Sequence, residues 1–241
     1  MKKIAIIIPT RERSHKIDDL HKEWFNMLDI TCSTDCIIVL DVDNEQTYPR
    51  LPGFIYMIVN LGTQKGANYP LNQAAVALCN DYEYIGFWGD DHFPRTQNWN
   101  SIMYGVLNAN KPYTIGYGND LLQKVNLPTE VIMDSKYIQK LGYMSHPDFS
   151  HLFIDDFWKF MGNYMGNFHY MDDVVIEHLH YCLGKSPFDN MYGIINTQEC
   201  FIEGKLIYYR VTTDPTFLSK LDEMKAEMDV FNLSVPERGV Y

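Results

Sequence analysis

Apolar and polar residues form alternating blocks along the first half of the chain. Four apolar runs have the composition of strands buried on both faces. They lie at 3–8, 36–40, 54–59 and 84–90. Segments 15–28 and 71–79, which lie between these runs, have helical apolar spacing or are rich in alanine. Alternating strands and helices are typical of βαβ units, so the pattern predicts an α/β fold with a mostly parallel central sheet.

The second half of the chain is less regular. Its pattern predicts helices at 99–107, 135–141, 155–165 and 216–231, and strands at 113–117, 131–133 and 174–180. Neither an internal repeat nor a linker rich in proline and glycine divides the sequence. We therefore predict a single domain over residues 1–215, with a C-terminal helix and tail at 216–241 packed on it. The tail from 234 onward is expected to be poorly ordered.

Composition limits the classes of partner. The 241 residues are 46% hydrophobic, and 20 basic against 31 acidic side chains give a formal net charge of −11. This charge disfavours broad binding to nucleic acid or to an anionic membrane. The apolar run at 4–8 is too short to cross a membrane, and the five scattered cysteines form no C-x-x-C pair. These features predict a soluble cytoplasmic protein with reduced thiols.

The most informative segment is the apolar run that ends in Asp90, Asp91 and His92. Ligands bind open α/β sheets at the carboxyl ends of the strands, and two adjacent acids there favour a positive partner. A divalent cation that carries a phosphorylated substrate fits this pattern. The alternative is a solvated turn after a strand.

Two more predicted strands end in polar groups at the same edge. Pro9, Thr10 and Arg11 follow the first strand, and Asp41 and Asp43 follow the second. Carboxylates can accept hydrogen bonds from a base or a ribose, while Arg11 can offset phosphate charge. Each loop alone is better explained as an ordinary βα connection, but their coincidence at successive strand ends favours nucleotide binding.

A polar loop supplies further donors for the ribose and diphosphate. Its candidate residues are Lys65, Gly66, Asn68 and Asn72.

Two histidines mark the end of the predicted strand at 174–180. Because side chains alternate along a strand, His178 and His180 share a face and are candidates for a further metal ligand. The alternative is one core histidine and one at the sheet edge. Lys185, in the loop that follows, belongs to either a mobile lid over a diphosphate or a plain surface loop.

Paired acids precede the amphipathic helix predicted at 155–165. Asp155 and Asp156 at a helix start stabilise the helix by about 0.5–2 kcal/mol as capping and first-turn residues. The functional alternative is a general base directed into the cleft.

Together these motifs resemble the GT-A nucleotide-sugar glycosyltransferases, and in particular a group of short GT-A-like proteins from phages and bacteria. The resemblance covers roughly residues 3–195. It rests on the motifs Pro9-Thr10-Arg11, Trp88-Gly89-Asp90-Asp91-His92, Tyr117-Gly118-Asn119-Asp120-Leu121-Leu122-Gln123, His151 with Asp155 and Trp158, and Glu177-His178-Leu179-His180 with Gly184-Lys185.

The resemblance implies a GT-A, Rossmann-like fold in which a D-x-D signature holds Mn²⁺ or Mg²⁺ on the sugar-nucleotide diphosphate. A histidine near the end of the domain often completes the coordination. Here Gly89 stands where the first Asp is expected, which leaves either Asp91 as the last Asp or a D-x-H variant formed by Asp90 and His92.

The predicted function is metal-dependent transfer of a sugar, most simply from a UDP-sugar, to an acceptor hydroxyl. A phage-modified DNA base and a virion protein are the acceptors considered, and nucleic acid enters only as an acceptor. For a phage protein the location would be the host cytoplasm. The alternatives are a nucleotidyltransferase or a noncatalytic nucleotide-sugar-binding module. Nucleotidyltransferases usually carry a glycine-rich loop after the first strand, and residues 9–13 contain no glycine.

Overall fold

The computed structural model describes residues 2–62 and 66–234. Within them, eight strands form one sheet in the order β3-β2-β1-β4-β7-β6-β8-β5. The strands are β1 Lys2–Pro9, β2 Thr34–Asp41, β3 Phe54–Val59, β4 Tyr82–Phe87, β5 His92–Pro94, β6 Ile115–Asn119, β7 Val131–Asp134 and β8 Phe168–His178. Strands β1 to β4 are mutually parallel, whereas β7 runs antiparallel to both β4 and β6, and β5 runs antiparallel to β8.

Helices cover both faces of this sheet. They are α1 Ser14–Met27, α2 Asn68–Leu78, α3 Trp99–Ala109, α4 Ser135–Leu141, α5 Ile154–Met165, α6 Asn190–Ile195, α7 Gln198–Thr212 and α8 Pro215–Ser234. None of these helices is both long and apolar enough to cross a membrane.

The first strand explains why the apolar runs are continuous. In β1, Ala5 and Ile7 face a core formed with α2, α4, α5 and α8, while Ile4, Ile6 and Ile8 face a second core formed with α1 and α3. Because side chains alternate between the two faces of a strand, a strand buried on both sides needs apolar residues throughout. The predicted α/β class and mostly parallel sheet are confirmed.

The end of β8 corrects one prediction. The strand runs from Phe168 to His178, not over 174–180. The backbone N–H of Leu179 donates to the carbonyl of Asp91 over 2.8 Å, and His180 is then the N-cap of the short 3₁₀ helix Tyr181–Leu183. The prediction that His178 and His180 share one strand face is therefore wrong, because the chain leaves the sheet between them.

The pattern of residues 190–212 did not predict α6 and α7. Helix α7 keeps much of its apolar surface outside the core, so the periodicity that marks a buried helix face is weak. Gly204 lets α7 pack closely against Leu152 and Phe153, since a β-carbon at residue 204 would lie 2.8 Å from the Phe153 ring. Helix α8 adds Phe217, Leu221 and Met224 to the core. The domain division at residue 215 remains a prediction, and residues 235–241 lie outside the described part of the chain.

Candidate functional site

The carboxyl ends of β1, β2 and β4 lie at one edge of the sheet, because these strands are parallel neighbours. Pro9 ends β1, Asp41 ends β2, and Asp90 lies three residues after β4. The Thr10 hydroxyl donates to Asp90 Oδ2 over 2.7 Å. The loops after β1 and β4 are therefore in direct contact at this edge.

Arg11 neutralises the end of β2. Its guanidinium donates to Asp41 Oδ2 over 2.6 Å and to Asp43 Oδ2 over 2.7 Å. Burial opposes ionisation of Asp41, but the Leu61 amide and Arg11 lower its pKa below the ordinary value. This part of the edge is a partly buried ion-pair cluster next to the acidic turn.

The turn after β4 holds two acids side by side in a buried position. Asp90 and Asp91 are each only 5% exposed. The cations that face them come from the start of α1. Arg13 Nη1 lies 3.1 Å from Asp90, and Lys16 Nζ lies 3.8 Å from Asp90 and 3.5 Å from Asp91. The repulsion that two adjacent carboxylates impose is thus balanced by two positive charges.

The glycine of this turn lies against two side chains of the acidic turn. A β-carbon at Gly89 would lie 2.7 Å from Asp91 Oδ1 and 2.9 Å from His92 Nδ1. Real β-carbon contacts are almost never closer than 3.0 Å, so any side chain at residue 89 would displace both groups. A side chain at residue 89, where a D-x-D signature has its first Asp, would therefore have to shift the Asp91 and His92 side chains.

Asp91, His92 and His178 form a compact set of potential metal ligands. One ligand atom from each lies within 4.8 Å of the others. The antiparallel pairing of β5 with β8 places His92 opposite His178, and their rings stack at 4.1 Å. His178 Nε2 lies 3.4 Å from Asp91 Oδ1. One carboxylate and two imidazoles suit a first-row transition metal, so these residues fit a divalent ion.

The protonation states of Asp91 and His92 also favour binding of a cation. Burial, and then repulsion by His178, lowers the pKa of His92 to about 4, so its imidazole is neutral near pH 7. Burial would raise the pKa of Asp91, but hydrogen bonding with His178 holds it well below the ordinary value. A neutral imidazole beside an ionised carboxylate is the protonation state that binds a metal ion.

The tautomer of His92 follows from its neighbours. Asp120 Oδ1 accepts from the backbone amides of Leu122, Gln123 and Lys124, and Oδ2 accepts from the Thr129 hydroxyl over 2.8 Å. Because Thr129 gives its only proton to Asp120, it must accept from His92 Nε2–H at 3.1 Å. The Nδ1 lone pair of His92 then accepts from the Gly89 amide at 3.1 Å, and Nδ1 lies 3.6 Å from Asp91 Oδ1.

The hydrogen-bond relay from His92 through Thr129 to Asp120 should affect metal affinity. Replacing Thr129 by Val removes the acceptor that fixes the His92 tautomer, so affinity for Mn²⁺ should fall by about 10- to 100-fold. Titration calorimetry with Mn²⁺ alone measures the change. The control Thr129→Ser keeps the hydroxyl and should restore most of the affinity. Equal weakening by Val and Ser would show that packing, and not the relay, is responsible.

The other predicted residues near the cluster have different partners. His180 packs against the Tyr192 ring at 5.2 Å, and its Nδ1 accepts from the Cys182 amide. Lys185 Nζ donates to Glu177 over 2.6 Å. His180 is thus not a member of the set Asp91, His92 and His178. Lys185 forms an ion pair with Glu177. Their predicted roles remain untested.

The two acids at the start of α5 differ in their environment. The N-cap position is Phe153, without a side-chain cap, so neither acid is the N-cap residue. Burial, followed by repulsion from Asp156, raises the pKa of Asp155 to about 7. Asp156 lies near Lys159, and burial raises its pKa less. Asp155 is therefore the acid with the properties of a base near neutral pH.

Residues of the predicted polar loop bind to segment 145–151. Asn68 Nδ2 donates to the carbonyls of His146 and Phe149, and Asn72 Nδ2 donates to the Ser145 carbonyl. Gly66 lies close to Ser150, where a β-carbon would be 2.3 Å from the carbonyl oxygen. These residues hold segment 145–151 in place. Lys65 lies outside the described residues.

Sequence reasoning missed several groups at this edge. They are Arg13, Lys16, Thr129, Asp189 and Tyr192. The spacing of Arg13 and Lys16 could have indicated the first two, since residues three apart share a helix face. Tyr192 reaches Asp91 from 101 residues away, which no local pattern predicts.

Comparison with known proteins supports the fold. No family model matches the sequence, and no curated protein matches it. Among solved structures, S. aureus TarS in complex with UDP-GlcNAc aligns with a TM-score of 0.57 and 13% identity, covering 98% of this chain and 76% of that one. The mannosyltransferase PcManGT from Pyrobaculum calidifontis, in complex with GDP-Man and Mn²⁺, aligns with a TM-score of 0.54 and 10% identity over the same shares.

A third alignment extends the same likeness. Glucosyl-3-phosphoglycerate synthase from Mycobacterium tuberculosis, in complex with Mg²⁺ and UDP, aligns with a TM-score of 0.52 and 10% identity, covering 73% of this chain and 72% of that one. At these sequence identities the three alignments show a similarity of fold. The protein has the GT-A fold, the Rossmann-like architecture of nucleotide-sugar glycosyltransferases.

Proposed function

We propose that this protein is a metal-dependent glycosyltransferase that moves a sugar from a nucleotide-diphospho-sugar to an acceptor hydroxyl. The observation that carries the proposal is the set Asp91, His92 and His178, within 4.8 Å of one another, at the ligand-binding edge of the sheet. The three aligned structures contain UDP-GlcNAc, GDP-Man with Mn²⁺, and UDP with Mg²⁺, respectively. A UDP-sugar is the donor that we propose here.

The nucleoside half of the donor is assigned to the ends of β1 and β2. Asp41 and Asp43 offer carboxylate oxygens to the base and ribose, next to Pro9, Thr10 and Arg11. The loop with Lys65, Gly66, Asn68 and Asn72 completes the predicted donor site. Since Asn68 and Asn72 are bound to backbone carbonyls, we assign them a supporting role.

The metal site is assigned to Asp91, His92 and His178, with Asp90 and His180 as further candidates. The two imidazoles favour Mn²⁺ over Mg²⁺, which prefers oxygen ligands. When bound, the ion supplies positive charge to the leaving diphosphate. Lys16, 3.5 Å from Asp91, adds positive charge from the protein at the same place, and Lys185, which pairs with Glu177, is a further candidate.

Asp155 is assigned the proton transfer. In an inverting reaction the acceptor oxygen forms a bond to the anomeric carbon while the bond to the diphosphate oxygen breaks. The Asp155 carboxylate takes the hydroxyl proton, and its pKa of about 7 suits this role near neutral pH. Asp156 is the second candidate. The net charge of −11 disfavours duplex DNA, so a protein hydroxyl is the acceptor that we propose.

A donor screen tests the function. UDP-, GDP-, CDP- and dTDP-sugars are added with and without Mn²⁺, and melting temperature and donor hydrolysis are measured. We expect one nucleotide to stabilise the protein only when Mn²⁺ is present, by about 2.7 kcal/mol at a ligand concentration of 100 times Kd. Stabilisation by no nucleotide, or by a nucleotide without any contribution from Mn²⁺, would contradict the proposal.

A further inference from the structure

Helix α7 exposes a stripe of large apolar side chains. Ile202, Leu206 and Tyr209 are 50%, 66% and 55% exposed. Because residues three and four apart share a helix face, these three side chains form one continuous stripe along α7. The helix is held to the domain by its other face, which includes the buried residues Gly204 and Val211. A single exposed apolar residue needs no explanation, but a contiguous stripe indicates a contact surface.

An open groove lies beside this stripe. Its volume is about 710 Å³, and it is lined by Ile202, Leu206 and Ile207 of α7 and by Asp148 of segment 145–151. The Arg210 guanidinium donates to Asp148 over 2.6 Å, and both side chains remain exposed to solvent. The stripe therefore belongs to a concave surface that has room for side chains of a partner.

The charged residues of α7 are balanced and divided between the two halves of the helix. Glu199 and Glu203 lie in the first half, and Lys205 and Arg210 lie in the second half. The helix dipole favours this division, but it does not explain the exposed apolar stripe between the charges. Two copies of a chain with a net charge of −11 repel each other, and the charges of α7 add nothing to that repulsion.

An antiparallel second copy of α7 matches this pattern. Ile202, Leu206 and Tyr209 have the spacing of the d, a and d positions of a coiled-coil heptad, which places Glu203 and Arg210 at e positions. Reversing one helix brings the same edges of the two stripes together. Leu206 then packs against Tyr209 of the second copy, and Glu203 lies opposite Arg210 of the second copy. Twofold symmetry makes each of these contacts occur twice.

We propose that α7 is the interface of a homodimer, in which the two copies of the helix pair antiparallel across a twofold axis. A second copy fits better than a different protein, because the two halves of α7 complement each other in both apolar spacing and charge. Arg210 lies between two carboxylates in this dimer, Asp148 of its own chain and Glu203 of the second copy. The interface is separate from the donor site and does not rest on the proposed function.

Analytical ultracentrifugation of the full chain tests the dimer. The wild type should be dimeric at a concentration of about 100 μM. Leu206→Glu buries a charge at the centre of the stripe and should weaken dimerisation by about 100-fold or more. Leu233→Glu is the matched control, because it makes the same change at an 88% exposed position on α8, and it should leave the dimer intact. A monomeric wild type, or a Leu206→Glu variant that dimerises like the wild type, would overturn the proposal.

Charge exchange tests the antiparallel pairing. Glu203→Arg and Arg210→Glu each place like charges opposite one another twice, so each should weaken the homodimer by about tenfold. The double variant restores both ion pairs in reverse and should recover most of the lost affinity. A double variant that dimerises no better than Glu203→Arg would overturn the antiparallel arrangement.

Mixing the two single variants gives a second readout. A dimer of one Glu203→Arg chain with one Arg210→Glu chain has opposite charges at both contacts, so the mixture should associate more tightly than either variant alone. A mixture that associates no better than the separate variants would count against the dimer. These measurements use neither nucleotide nor Mn²⁺, so their failure would leave the proposed function intact, and failure of the donor screen would leave the dimer intact.

Discussion

Asp91→Ala is expected to abolish Mn²⁺-dependent nucleotide binding. Asp91 is the only carboxylate within the set that includes His92 and His178, and its negative charge attracts the cation. Loss of an outer-shell partner alone weakens metal sites by about 10- to 100-fold, so loss of the direct ligand should exceed about 100-fold. Titration of UDP in the presence of Mn²⁺ measures the effect.

The controls separate metal binding from folding. Asp91 is buried and accepts from Tyr192, so Asp91→Ala can also destabilise the chain. Asp91→Asn keeps the shape and an acceptor oxygen but loses the charge, and it should lose Mn²⁺ binding while it melts close to the wild type. Unchanged Mn²⁺-dependent binding by both variants would remove Asp91 from the site.

The position of the site could be predicted from the sequence because it depends on strand ends. Continuous apolar runs identify buried strands, and parallel strands bring their carboxyl ends to one edge. That rule correctly places Thr10 beside Asp90, at 2.7 Å. It cannot assign the direction of each side chain in a loop. Arg11 turns toward Asp41, whereas Arg13, two residues later, binds Asp90 and Asp189.

Groups that arrive from distant segments could not be predicted. Tyr192 lies in α6 and Asp189 caps it, and the pattern did not indicate this helix. Their partners lie 101 and 176 residues away along the chain. The prediction that His180 shares a strand face with His178 failed for a related reason. Strand alternation applies only while the chain stays in the sheet, and the tertiary hydrogen bond from Leu179 to Asp91 ends β8 at His178.

Asp155→Asn is expected to leave folding and donor binding intact while transfer falls by about 10²- to 10⁴-fold. Asp155 lies in the first turn of α5 but is not its N-cap residue, so Asn should cost little stability. The variant loses the group that accepts the proton. Melting temperature, calorimetry with Mn²⁺ and UDP, and the transfer rate are measured on the same preparation.

The pH profile distinguishes a base at residue 155 from a structural acid. Burial raises the pKa of Asp155 to about 7, so the carboxyl is protonated below that pH and can accept a proton only above it. Wild-type transfer should therefore rise as the pH rises through about 7, whereas residual transfer by Asp155→Asn should lack this step.

The raised pKa of Asp155 also means that the folded state binds the proton more tightly than the unfolded state. The contribution of Asp155 to the free energy of unfolding therefore falls as the pH rises toward 7, and Asp155→Asn should remove this pH dependence.

Normal transfer by Asp155→Asn would leave this residue a first-turn acid only, and would favour a retaining reaction that needs no base here.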